Sequence, residues 1–445
     1  MVKIIAYFSL FVATGVSLIS SPGWPHWRGP NFNGSATGSL EYPIHFSKKK
    51  NVKWVYRTPG PSASTPVVHN DLIYLSSIDQ EGGGDPTESR LLAICLNRMT
   101  GKVVWFDRVG SGYRPGDNHG LEHQLDSKSN YASPSPSVGK KEVVFFFGNG
   151  DLVCYEKDGS RRWSRNIQED YGDFCFQWTF SASPTILGDS VYIPILQRDE
   201  QVHGRGKENA DSFILKIGLA DGRTIWKKIR FSNARKESRE SFASIIPYKN
   251  QLLVAGGDVL TAHSIEDGEE LWRWGTWNTG HKQEWWRLVP SPVLGDGKVM
   301  VCAPKGQPVY AIDVTDNSPK LSWTSVGNRF LTSDVPTPLF HQGYFYILSD
   351  LKKCLAKVDP QNGEVLWQIM LPGNYKWRSS PSGAGGMIYI MNHNAHVLVV
   401  STQDGSILNS AKMGDDYDDL TRSSIVLVEG VAYIRTNKIL YCIEE

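Results

Sequence analysis

An excess of charge of either sign is missing from this chain: 47 Lys and Arg stand against 46 Asp and Glu, a formal net charge of +1. A dedicated DNA or RNA binder carries a basic excess, so this balance excludes nucleic acid as the partner class. Cysteine is scarce. The six are Cys95, Cys154, Cys175, Cys302, Cys354 and Cys442, with no adjacent pair and no C-x-x-C, which removes zinc-ligand spacing. No apolar run supports a multi-span membrane protein. A Gly-x-Ser-x-Gly elbow, a His-Glu-x-x-His pair and a phosphate loop are absent as well. What is abundant is aromatic and turn-forming: 15 Trp, 18 Tyr and 17 Phe beside 42 Gly and 24 Pro. That mixture points to an all-β architecture with a recurring aromatic packing device.

The first residues have the form of an export signal. Lys3 precedes an apolar stretch from Ile4 to Ile19, too short for a comfortable bilayer span, and Gly15, Ser17, Ser20 and Ser21 supply small residues around its end. Residues 1–21 are expected to be a signal peptide, 22–50 an aperiodic lead-in and 51–445 the folded domain. The mature chain is then a monomer in the periplasm or outside the cell, with no membrane span. Export would permit disulfides.

From residue 51 onward one pattern recurs. A Ser/Thr-Pro or similar turn opens an apolar strand. Two further strands follow, then a polar turn closed by Gly, and four residues after that Gly comes Trp. The openings are Ser64-Thr65-Pro66, Ala132-Ser133-Pro134, Ala182-Ser183-Pro184, Phe242-Ala243-Ser244, Pro290-Ser291-Pro292, Pro336-Thr337-Pro338, Ser379-Ser380-Pro381 and Arg422-Ser423-Ser424. The closing tryptophans are Trp105, Trp163, Trp226, Trp272, Trp323 and Trp367, with Asn409 in the seventh position. The fifth closing turn lacks the Gly, and the eighth unit stops at Cys442-Ile443-Glu444 with no room for a last strand. The missing strand lies at the other end: Val52-Lys53-Trp54-Val55-Tyr56 carries a Trp and has nothing before it to complete a sheet. The spacing predicts an eight-bladed β-propeller of four-stranded antiparallel blades, the ring closed by this N-terminal strand, which leaves no unpaired gap between blades. A flat indole suits the seam between blades, lying against the peptide plane of a Gly that has no Cβ. Trp54 and the six closing tryptophans are therefore packing residues.

The Gly-x-x-x-Trp repeat resembles the tryptophan-docking motif, Ala-x-Asp-x-x-Thr-Gly-x-x-x-Trp, of the pyrroloquinoline-quinone-like (PQQ-like) β-propellers, over about residues 51–445. The first copy reads Cys95, Asn97, Thr100, Gly101, Trp105, and the fourth Ala262, Ser264, Asp267, Gly268, Trp272. Cys95, Cys154 and Cys442 then hold the small Ala position of three different blades, which implies free thiols too far apart to bridge. The stretch from Trp24 to Gly34 looks like the lead-in of secreted members, with Trp24 and Trp27 pinning it to the propeller. The resemblance implies two kinds of function. Quinoprotein alcohol dehydrogenases use this plan to bind PQQ with calcium, often under a ring of adjacent cysteines, which this chain lacks. Cofactor-free assembly relatives bind protein partners. The favoured expectation is a non-enzymatic binding or scaffold module, using its loop-rich face for an extracellular or periplasmic protein or a glycan. No cofactor is favoured. The alternative is a quinoprotein-type dehydrogenase oxidising a small alcohol or sugar with PQQ and calcium.

Candidate ligand-binding residues come from long loops between blades, which converge on the channel mouth. Arg287, Arg378 and Arg422 recur just before an innermost strand and form a candidate basic ring suited to a carboxylate or phosphate, or else each ties its own loop. Trp178 and Trp285 are candidate contacts beside them. His119 and His123, four apart around Glu122, could hold a metal on a helix, and a weak hydrolase reading rests on them. Their Gly-rich surroundings favour a solvated loop. Asp415, Asp416, Asp418 and Asp419 surround Tyr417 without an EF-hand pattern. Two insertions remain, a Gly-rich one over 80–90 and a charged one over 197–211 suited to a partner contact.

Overall fold

The computed structural model describes residues 23–79, 90–111, 130–202, 204–275, 277–316, 318–415 and 418–445. Eight antiparallel sheets are arranged in a ring. In blade 1 the strands Val67–His69, Leu72–Asp79, Arg90–Asn97 and Val103–Ser111 run from the channel outward. The innermost strands of the other blades begin at Ser137, Thr185, Ile246, Val293, Leu339, Ser382 and Val426. Second and third strands are buried on both faces and read as unbroken apolar runs, such as Val143 to Phe146 and Val299 to Cys302. Outer strands alternate instead: in Thr224–Ile229, Ile225, Lys227 and Ile229 face outward while Thr224, Trp226 and Lys228 turn toward the seam. The ring closes as the repeat predicts, because Val52–Arg57 pairs with Ile439–Ile443 as the outer strand of blade 8.

Six of the seven docking indoles, all but Trp272, lie on the glycine of the next blade. A Cβ on Gly101 would stand 2.5 Å from Trp54, and on Gly159, Gly222 and Gly363 at 2.7, 2.6 and 2.7 Å from Trp105, Trp163 and Trp323. These glycines also hold positive φ, so neither a side chain nor its backbone preference fits there. The indole N–H of Trp54, Trp105, Trp163, Trp323 and Trp367 donates to a turn carbonyl of the adjacent blade, Arg98, Lys157, Leu219, Pro360 and Thr402 respectively. Trp272 faces the blade whose turn lacks Gly and bonds Gln251 of its own blade instead, at 2.9 Å. Asn409, in the seventh position, donates Nδ2 to the Phe46 carbonyl of the lead-in at 3.2 Å. All six cysteines are buried free thiols.

The Ser/Thr-Pro turns have a role beyond turning. The backbone N–H of Thr65 donates to Ser135 Oγ, that of Ser135 to Ser183, and so on through Ser244, Ser291, Thr337 and Ser380, while Ser424 N–H donates back to Thr65. These hydroxyls form a girdle over seven of the eight joins, and between blades 7 and 8 Ser382 Oγ donates to the Ile425 carbonyl instead. The girdle corrects one register: blade 2 opens at Ser135-Pro136, two residues beyond Ser133-Pro134. Ser244→Ala would strand the Ser183 amide in a buried site and should cost about 1–3 kcal/mol, read as a lowered urea midpoint. An unchanged midpoint would show that the girdle carries no stability.

The two faces of the ring differ. On one, hairpins of two residues join first and second strands. Asp296-Gly297, Gln342-Gly343 and Glu429-Gly430 hold positive φ at both positions, as tight hairpin turns require. On the other, longer segments connect each outer strand to the next inner one. Blade 1 gains an unexpected fifth strand: Gly23–Trp24 pairs with Val67–His69 on its channel side. From there the lead-in crosses the channel. The Pro25 carbonyl accepts from Val138 of blade 2, Asn33 from Phe340 of blade 6, and Gly34 from Gly383 of blade 7. Phe32 joins the core of blades 4 and 5, and Tyr42 and Phe46 pack over blades 7, 8 and 1. Trp24 is fully buried, with its indole N–H on the Trp27 carbonyl. The lead-in therefore closes the hairpin-side mouth.

Candidate functional site

The opposite mouth of the ring is the loop face. Its connections place charged side chains around blades 3 to 6. Arg198 leaves the second strand of blade 3 and donates Nε to Glu240 at 2.6 Å and Nη2 to Gln177 at 2.6 Å. Glu240 precedes the inner strand of blade 4. It is fully buried, its Oε1 also accepts from the Gln177 amide, and its Oε2 has no partner. Burial pushes its carboxyl up to about 7, with Arg198 opposing. The sequence EWWR at 284–287 then brings Trp285 and Arg287 to the entrance of blade 5. Arg287 lies 3.5 Å from Asp334 and 3.9 Å from Glu237. Asp334 accepts the Lys305 amide at 2.7 Å and lies 3.9 Å from Arg378, which donates Nε to Asp350 at 2.9 Å. The Asp334 amide donates in turn to Asp350, whose pKa is raised by burial against the pull of Arg378.

The arginines therefore alternate with buried carboxylates. Arg287 and Arg378 converge on Asp334, whereas Arg422 donates to the Leu420 carbonyl of its own loop. Trp285 is 52% exposed, with Arg198 5.7 Å and Lys236 5.3 Å from its ring centroid. Trp178 is half-buried in the segment before blade 3. His119 and His123 lie outside the described residues, as do residues 1–22, the insertion over 80–89, Asp416 and Tyr417. Asp415 pairs with Lys48 at 2.7 Å, and buried Asp418 accepts the Asn437 amide. The charged insertion packs back on the fold, with Arg198 N–H donating to the Cys175 carbonyl and Asn209 N–H to Asp199.

Sequence reasoning missed Arg198, Glu237, Glu240 and Asp350, because their pairings run between blades with no periodic signature. It also missed buried Asp258, which accepts from Asn278 at 2.8 Å and from His281 at 2.9 Å. Among the described residues no group of three or more His, Cys, Asp or Glu is arranged to hold a metal ion. The rim carboxylates do not fit calcium, since Glu240, Asp334 and Asp350 are already engaged by guanidinium groups that a cation would have to displace.

Blades, docking seams and ring closure together define an eight-bladed PQQ-like β-propeller. Residues 44–197 and 210–445 match the family described as outer membrane protein assembly factor BamB, and the chain belongs to that family. Among solved structures it is similar to BamB from Moraxella catarrhalis, at 13% identity and TM-score 0.60, over 88% of this chain and 99% of that one. It is similar to a europium-containing methanol dehydrogenase, at 10% identity and TM-score 0.70, over 96% and 99%. It is also similar to a quinohemoprotein alcohol dehydrogenase from Comamonas testosteroni, at 14% identity and TM-score 0.61, over 95% and 80%. At these identities the likeness is one of fold. No curated protein matches the sequence.

Proposed function

We propose that this protein is an exported, non-enzymatic binding or scaffold module that docks an extracellular or periplasmic protein on its loop face. The observation that carries this reading is Trp285, a large aromatic side chain half exposed on a polar rim and flanked by Arg198 and Lys236. Trp and Arg are the residues on which protein interfaces concentrate their binding energy. The rim beneath Trp285 is held rigid by the Arg–carboxylate pairs, so little ordering entropy is lost on docking. Lys282, Lys305, Arg329 and Lys352 are exposed around blades 4 to 6, which favours an acidic partner surface and fast, salt-sensitive association. Membership of the BamB family supports a partner-binding role. No helix among the described residues is long and apolar enough to cross a membrane.

The test is quantitative binding to proteins captured from the exported fraction. Trp285→Ala should weaken binding by about 30-fold, or ~2 kcal/mol, while Ile225→Ala on the outer edge of blade 3 should leave it unchanged. Equal loss in both, or in neither, would remove the loop face as the docking surface. The dehydrogenase alternative is tested separately by a thermal melt with PQQ and calcium. A calcium-dependent rise in the midpoint would favour it over the scaffold reading.

A further inference from the structure

The lead-in carries a cation into the channel. Arg28 is buried, and its Nη2 donates to the carbonyls of Pro338 at 3.0 Å and Asn33 at 3.4 Å. Pro338 directly follows Thr337 of the hydroxyl girdle. Gly34 lets the guanidinium in: a Cβ there would stand 2.0 Å from Nη2 and 3.0 Å from the carbonyl of Pro381, the residue after girdle Ser380. The Arg28 head group thus lies on the inner side of blades 6 and 7, above the plug formed by its own segment.

Its remaining donors are unspent. Nε and Nη1 are buried without a hydrogen-bond partner. No carboxylate among the described residues pairs with the group, and burial alone lowers its pKa, to about 9, which leaves it charged at neutral pH. The Trp27 ring, 5.8 Å away, gives only a weak cation–π contact. Arg230 shows what saturation looks like in the same fold. It is equally buried, yet Nε, Nη1 and Nη2 all reach acceptors in Thr261, Gly256, Val254 and Val259. An enclosed cation with unspent donors and no counter-charge is costly unless an anion joins it.

We infer that Arg28 binds a small monovalent anion at the closed end of the channel, a halide or one oxygen of a carboxylate. The forked edges of a guanidinium share one terminal nitrogen, and here that nitrogen, Nη2, is already committed to carbonyls. Nε and Nη1 are left on different edges, so each suits a single acceptor atom and not the paired oxygens of a bidentate group.

The test uses the purified full-length protein at constant ionic strength, comparing sodium bromide, sodium acetate and a bulky sulfonate salt. Bromide or acetate near 100 times its dissociation constant should raise the thermal midpoint over the sulfonate by about 3 °C. A rise with bromide identifies a halide site, and a rise with acetate alone a carboxylate site. Arg28→Gln should abolish the difference. Crystals grown in bromide should show anomalous density within hydrogen-bonding distance of Nε or Nη1, a readout that stands even if the variant fails to fold. Equal midpoints in all three salts with no bromide density overturn the proposal, as does an anion effect that survives in Arg28→Gln.

Discussion

Trp105→Ala should lower the unfolding free energy by about 3–5 kcal/mol, the range for a large aromatic side chain removed from a core that cannot collapse around the void. The indole of Trp105 spans the seam between blades 1 and 2. It lies against Gly159, packs with Tyr74, Phe145 and Tyr155 at centroid distances of 6.0, 6.2 and 5.1 Å, and donates its N–H to the Lys157 carbonyl at 3.0 Å. The ring holds each blade between two neighbours, so the seam has little freedom to close. Gly159→Ala should damage the same seam from the opposite side, because the new methyl would lie 2.7 Å from the indole at a residue whose φ is +96°. A comparison with Trp226 separates packing from hydrogen bonding. Trp226 rests on Gly268, but its indole N–H has no acceptor. Trp226→Phe should therefore cost less than Trp105→Phe, which strands the Lys157 carbonyl. Urea midpoints measure all four variants. A near-neutral Trp105→Ala, or equal costs for the two Phe variants, would contradict this account of the seam.

Arg198→Met should cost about 3–5 kcal/mol at pH 8, the penalty for leaving one member of a buried ion pair alone, and distinctly less at pH 5. The pH dependence follows from Glu240. Its carboxyl is raised from the ordinary 4.5 to about 7 in the folded protein. Between those values the native state holds a proton that the unfolded chain has released, so native stability falls as pH rises through this window. Below about pH 4.5 both states are protonated and the penalty is absent. Above about 7 both are ionised and it is fully expressed. Removing Arg198 takes away the positive charge that opposes the upward shift, so the fall should steepen and extend to higher pH. Glu240→Gln keeps an acceptor for the Gln177 amide without the ionisation, and should flatten the slope between pH 4.5 and 7. Urea midpoints at pH 5 and 8 decide the matter. A pH-independent cost for Arg198→Met would mean that Glu240 does not titrate in that window.

Loop-face residues were legible in the sequence by position but not by partnership. Arg287 and Arg378 each stand shortly before an inner strand, four and two residues ahead of girdle residues Ser291 and Ser380, which is enough to place both on one rim. Their electrostatic character depends on Asp334 and Asp350, whose approach is set by neighbouring blades and which the sequence does not pair with them. Glu240 stands in the run KESRES at 236–241, where no local pattern marks it for burial. Only the ring geometry shows that it is sealed beneath Arg198.

The periodic part of the molecule was determined by the sequence alone. The Gly-x-x-x-Trp spacing, the Ser/Thr-Pro openings and the orphan Trp54 strand imply eight blades and their closure, because each unit repeats the same local chemistry and cannot bury its faces without a neighbour. Tertiary structure decided what has no period: which glycine each indole covers, the hydroxyl girdle around the channel, the path of the lead-in through it and the isolation of Arg28. These depend on groups far apart in the chain meeting around a closed ring. Closure is a global geometric condition, and no local spacing encodes which distant atoms it brings together.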